Sequence, residues 1–148
     1  MLLAVILAAV PAAALAATGL DRGSAAVATR TGASVVLSVE IARTPAERQT
    51  GLMNRRSLPA KAGMVFAFQE SHSGGFWMKN TLIPLDIAFY GAGGKILRIL
   101  TMQPCRTEPC RIYDPKVSYR GALEVNAGSF RRWKVTVGGR ITVRPRAG

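Results

Sequence analysis

The run Lys79-Asn80-Thr81-Leu82-Ile83-Pro84-Leu85-Asp86 places an amine, an amide, a hydroxyl and a carboxylate around a stiff Ile-Pro bend. Apolar stretches flank it, and Trp77 stands just ahead. An indole face beside a few fixed polar groups suits a concave site for a polar sugar or an amide-bearing peptide: the ring stacks while the amide and carboxylate take hydrogen bonds. On this reading Trp77, Lys79, Asn80, Thr81, Asp86 and Asn126 are the ligand-binding candidates. The same residues also suit a purely structural part. Asn80 and Thr81 can close a turn on their own backbone, and Asp86 can accept N–H groups from it.

Two carboxylates can divide the acid and base roles of a glycosidase-like hydrolase, and Asp86 and Glu124 are the pair this chain offers for such catalysis. Asp86 lies between Leu85 and Ile87, and Glu124 between Leu123 and Val125. Alternation then turns both away from the apolar rows, onto one cleft face or onto separate sheets. Solvated strand carboxylates, or ones paired to arginines, are the competing account. No G-x-S-x-G elbow accompanies the single histidine, His72, which reads as a surface-loop residue. One histidine without a recognisable set of further ligands implies no metal site. Met53, Met64, Met78 and Met102 form no M-x-M cluster, so they read as core filling. Nothing in the sequence implies a cofactor.

These residues need a scaffold, and length and composition bound it. The first 17 residues, MLLAVILAAVPAAALAA, are uncharged and end in the small-x-small pattern Ala14-Leu15-Ala16. That predicts a secretory signal peptide over residues 1–17, and hence a periplasmic or secreted protein, soluble once the leader is removed. The charged start of such a leader is missing, so a retained anchor is the alternative. The apolar run is shorter than the ~20 residues a spanning helix needs, and Pro11 interrupts it. Roughly 130 remaining residues suffice for one domain.

Export makes the cysteines legible. Cys105 and Cys110 flank Arg-Thr-Glu-Pro in a polar loop, and in an oxidising compartment they are expected to form a disulfide. The net charge is +12, and from Gly91 onward twelve lysines and arginines face only Glu108, Asp114 and Glu124. Such a surface attracts an envelope glycan or another anionic surface. The cations lack the aromatic interleaving of a nucleic-acid platform, which speaks against sequence-specific nucleic acid. Arg131-Arg132-Trp133-Lys134 either docks on anions or covers an inward-packed indole with its stems.

Residues 18–33 are small and polar without period, and read as a flexible lead-in to a single β-rich domain over 34–148. Val35, Leu37, Val39 and Ile41 alternate as a strand. Thr44-Pro45-Ala46-Glu47 then makes a capping box for one short helix near residues 45–51, with Gly51 as its stop. Further strands are expected at Met64–Phe68, Leu85–Phe89, Lys95–Thr101 and Tyr119–Val125, and two more joined at Gly138-Gly139. The pattern is mostly β, a compact β-sandwich or jelly-roll-like barrel.

The segments GLMNRRSLP, GMVFAF, FWMKNTLIPLDIAFY and ALEVNAG, in that order, resemble the core of domain-of-unknown-function family 192 across about residues 35–143. The resemblance implies a compact, often exported β domain with a small helix and no established reaction. Many members carry Gly-Asp before the last strand, where this chain has Gly138-Gly139. The sequence thus points to an exported cell-envelope binding or accessory domain for a polar ligand. A hydrolase or transferase using Asp86 and Glu124 is one alternative, and an envelope protein-assembly partner another.

Overall fold

Alternating apolar residues do build the strands, and the capping box does start the helix. In the computed structural model, which describes residues 19–148, the elements are β1 (Asp21–Ala28), β2 (Ser34–Ala42), α1 (Pro45–Thr50), β3 (Ala62–His72), β4 (Leu85–Tyr90), β5 (Ile96–Met102), β6 (Tyr119–Asn126), α2 (Ser129–Arg132) and β7 (Arg140–Pro145). Thr44 caps α1 through its hydroxyl, which accepts from the Glu47 N–H, while the Glu47 carboxylate accepts from the N–H groups of Arg43 and Thr44. The leader expected over residues 1–17 lies outside the described residues. Among those described, no helix is long and apolar enough to cross a membrane.

All seven strands join one sheet in the order β5-β4-β6-β3-β2-β1-β7. The fold is mostly β, as the periodicity predicts, but the strands form a single sheet, and it does not close into a barrel. Its edges nevertheless meet at one corner. The Ile96 N–H donates to the Gly139 carbonyl at 2.8 Å, the Gly138 N–H to the Ile96 carbonyl at 2.9 Å, and the Ile141 N–H to the Gly94 carbonyl at 2.8 Å. Only β2 and β3 pair in parallel, with α1 in the crossover between them.

The sheet is buried on both faces at its centre, which yields two apolar clusters. One face packs Val39, Ile41, Val65, Ala88, Leu123 and Val125 with Phe130 and Val135. The other packs Met64, Phe66, Leu85, Ile87, Phe89 and Tyr119 with Leu52 and Met78. Each buried side chain of this size contributes roughly 1.5–3 kcal/mol by leaving water.

Two expectations need correction. The flexible lead-in expected over 18–33 is replaced, among the described residues, by β1 at 21–28, pairing with β2 on one side and β7 on the other. Its side chains are small, so they carry no visible period, yet Ala25 and Val27 are fully buried because the neighbouring strands supply the apolar surface. Of two strands expected around Gly138-Gly139, only β7 forms. The stretch before it is α2 and a loop, with Val135 reaching the core.

Candidate functional site

A cavity of about 420 Å³ opens where α1 and the β3–β4 connection lie over the second cluster. Its walls are Leu52 and Met53 after α1, Phe66 and Phe68 of β3, and Phe76 and Trp77 of the connection. Phe66 and Phe76 meet edge to face at 5.0 Å, and Phe76 in turn meets Phe89 at 5.6 Å, so the apolar wall is anchored in the core. Gly51, with φ 46°, ends α1 so close to the Phe66 ring that an added Cβ would lie 3.2 Å from it. That close approach seats the helix end on the pocket wall.

The polar groups of the cavity come from four elements. Arg48 of α1 sits 4.6 Å above the Phe68 ring and donates to the carbonyls of Arg43 and Ala67, the latter at 3.1 Å. His72, at the end of β3, stacks on Phe68 with ring centroids 4.2 Å apart. It lines the cavity and is therefore more than a loop residue. Thr81 contributes from the connection, and its hydroxyl donates to the Lys79 carbonyl at 3.3 Å. The fourth group is Glu124 of β6, only 4% exposed among Met64, Ile87 and the aromatic wall.

Glu124 is the unusual member. Burial pushes its carboxyl up from 4.5 to about 8, with no hydrogen bond or cation among the described residues to offset it. An ionised carboxylate in such surroundings costs several kcal/mol, so the group stays protonated at neutral pH. It therefore presents both an O–H donor and a carbonyl acceptor to the cavity.

Of the ligand-binding and catalytic candidates named from the sequence, the structure brings Trp77, Thr81 and Glu124 to this cavity and leaves the others elsewhere. Trp77 is 38% exposed at the mouth, with the Lys79 ammonium 5.4 Å above its ring. Lys79 itself reaches 3.3 Å to Glu108 in the cystine loop. Asn80 takes a left-handed φ of 55°, and its carbonyl accepts from the Asn54 N–H at 2.7 Å, tying two connections together. Asn126 donates from Nδ2 to the Leu58 carbonyl at 2.7 Å. The Asn126 amide is thus fixed by main chain, whereas Asn80 is held through its backbone and is exposed.

Asp86 is likewise committed. Its Oδ1 accepts from the Thr101 hydroxyl at 2.8 Å and its Oδ2 from the Gly128 N–H at 2.9 Å, and the residue is 3% exposed. The register separates it from Glu124. Asp86 pairs with Val125, while Glu124 pairs with Ile87, so the two carboxyls project from opposite faces of the sheet. Neither placement that alternation allowed, one cleft face or separate sheets, is found, because β4 and β6 are buried on both sides and offer no single apolar row to face away from. A two-carboxylate hydrolase built on this pair is thereby removed.

Sequence reasoning missed Phe68, Phe76, Arg48 and His72 as pocket residues. The signal that could have found them is weak: Phe66, Phe68 and His72 fall on alternating positions of β3, just before a Gly-Gly bend. The cystine expected between Cys105 and Cys110 is formed, with Cα atoms 5.4 Å apart. Among the described residues, no group of three or more His, Cys, Asp and Glu side chains is placed to hold a metal ion.

The family model DUF192, described as "Uncharacterized ACR", matches residues 26–143. Two solved structures are similar. One is a protein from Sinorhizobium meliloti, described provisionally as a transcription regulator, with 34% identity, 84% of this chain and 95% of that chain covered, and a TM-score of 0.79. The other is a protein of unknown function from Novosphingobium aromaticivorans, with 32% identity, 91% and 94% covered, and a TM-score of 0.75. No curated protein matches the chain.

Proposed function

The chain belongs to DUF192, an uncharacterised family, and from that premise and the geometry of its cavity we propose that it is an exported binding domain for a small ligand. The carrying observation is Glu124: a buried carboxyl without a protein partner, facing a cavity with an aromatic and aliphatic wall and a polar rim of Arg48, His72 and Thr81. Such a group is costly to bury, and a ligand that satisfies it recovers that cost. The cavity is also large enough, since about 150 Å³ already accommodates a benzene ring.

Relative to the sequence expectation, Trp77 and Thr81 stay in the site and the polar anchor moves from Asp86 to Glu124. The ligand shifts accordingly, from a wholly polar glycan to a molecule with a flat apolar body and one hydrogen-bonding group. The apolar leader of residues 1–17 and the Cys105–Cys110 cystine support export to an oxidising compartment. Surplus cations on the second half of the chain support attraction to an anionic envelope surface, which would concentrate the domain where its ligand is met.

The test is occupancy of the cavity. Titrating the mature chain with the fluorescent probe anilinonaphthalene sulfonate, alongside calorimetry with peptidoglycan fragments, reads binding of an aromatic and of a glycan class. The aromatic probe is expected to bind and to weaken about tenfold in Trp77→Ala. Failure to bind, or binding indifferent to Trp77→Ala and to filling the cavity by Met53→Trp, removes this site.

A further inference from the structure

Which atoms Glu124 offers decides what it can hold. Along its row of the sheet, the flanking partners are Met64 of β3 and Ile87 of β4, neither of which can share a proton. Beyond Met64 in the same row lies Glu40 of β2, whose carboxylate is already engaged by the Arg55 guanidinium at 2.5 Å. From α1 comes Arg48, held by two main-chain carbonyls and the Phe68 ring. From the end of β3 comes His72, stacked on Phe68 and edge-to-face with Tyr119. From the β3–β4 connection the only cation is Lys79, drawn away to Glu108. Every cation near the site has a partner other than Glu124, so nothing favours the ionised carboxylate.

The charge around the mouth points the same way. A cationic ligand would enter past Arg48 into a chain of net charge +12. It would also have to displace the Glu124 proton before it could form an ion pair. A ligand with a neutral oxygen acceptor meets neither cost, and it takes the O–H that the protein leaves unused.

Resting on the pocket reading above, we propose that Glu124 is a hydrogen-bond donor to its ligand, and that the ligand class is a ring compound bearing a neutral carbonyl, such as an aryl amide or ketone. The ring lies among Phe68, Phe76 and Trp77, and the carbonyl oxygen faces the carboxyl. Arg48 and His72 border the same cavity, where a second acceptor on the ligand would find them.

Benzamide and benzylamine separate this from the alternative, because they share a ring and differ in the group offered to Glu124. Calorimetry on the mature chain at pH 6, 7, 8 and 9 reads both. Benzamide does not titrate in this range, so its pH dependence reports the protein. The expected result is tighter binding of benzamide, flat below about pH 8 and falling towards tenfold per pH unit above it as the carboxyl ionises. Glu124→Gln keeps a donor that cannot ionise, so it should bind benzamide and lose the pH dependence. Glu124→Leu should bind it at least tenfold more weakly.

Benzylamine binding more tightly, with affinity that rises from pH 6 to 8, overturns the proposal while leaving the pocket standing. So does wild-type affinity for benzamide in Glu124→Leu. If neither ring compound binds at millimolar concentration, the pocket reading falls and the donor assignment with it. Urea unfolding of each variant confirms that it is folded before its binding is compared.

Discussion

Ile87 and Glu124 stand directly opposite one another on adjacent antiparallel strands, and that pairing turns Asp86 through the sheet to the other side. One carboxyl thus ends in an aromatic cavity without a partner, and the other in a fully occupied polar clasp. One position apart in register, they have unrelated work.

Glu124 makes stability fall as pH rises. The unfolded carboxyl ionises near 4.5 and the folded one near 8, so between those values the native state holds a proton that the unfolded state has released. Raising the pH through that window favours unfolding, with a total loss on the order of 4 kcal/mol by pH 9. Urea unfolding at pH 5, 7 and 9 should show this decline in the wild type and a flatter profile in Glu124→Gln. Parallel profiles would show that the carboxyl is not buried in its acid form.

Asp86 should behave as a structural clasp. Asp86→Ala removes acceptors from Thr101 and from the Gly128 N–H at the entrance of α2, leaving a main-chain donor unpaired. The expected cost is about 2–4 kcal/mol. Thr101→Val, which spares the Gly128 bond, should cost about 1 kcal/mol. Benzamide affinity should be unchanged in both, because the clasp lies on the far face; a tenfold loss in folded Asp86→Ala would contradict that separation.

The sequence carried more of the fold than of the site. Thr44 and Glu47 announced α1 because a capping box is a local arrangement, complete within four residues. β1 was invisible because its burial depends on β2 and β7, which lie far along the chain. Trp77 was legible as a candidate by its type and setting, and it lines the cavity. Glu124 could be noticed but not oriented: an alternation rule needs one wet face, and β6 has none. Phe68 and His72 become pocket residues only when α1 is laid across them, which is a property of packing.

Gly94 is the position where the sheet corner is least forgiving. It has φ 85°, and an added Cβ would lie 2.2 Å from the Ile141 carbonyl oxygen. Gly94→Ala should therefore cost about 2–4 kcal/mol through strain and loss of the bond its carbonyl accepts from the Ile141 N–H. The neighbouring Gly93→Ala meets only the tip of Arg140, at 3.6 Å, and should cost under about 1 kcal/mol. Urea midpoints of the two variants check the contrast.

The cystine closes a small loop, its two ends five positions apart in sequence. Replacing both Cys105 and Cys110 by serine should lower stability by roughly 2 kcal/mol on chain-entropy grounds. Added reductant should produce a similar shift in the wild type and none in the double variant. Near-equal stability of oxidised and reduced wild type would mean that the loop is already ordered by its other contacts, such as the Tyr113 hydroxyl that accepts from the Gln103 N–H.

An open sheet leaves two rims of unsatisfied backbone groups on which a second copy could lay a strand and begin a fibril. In this fold the rims bend round and engage each other at Ile96, Gly138 and Gly139, so one end of each is already taken. The remaining lengths carry Arg98 on β5 and Arg144 and Arg146 at the end of the chain, all exposed. A like-charged strand arriving there meets repulsion before it can bond. The curl of the sheet and the arginines along its borders both oppose strand-on-strand association.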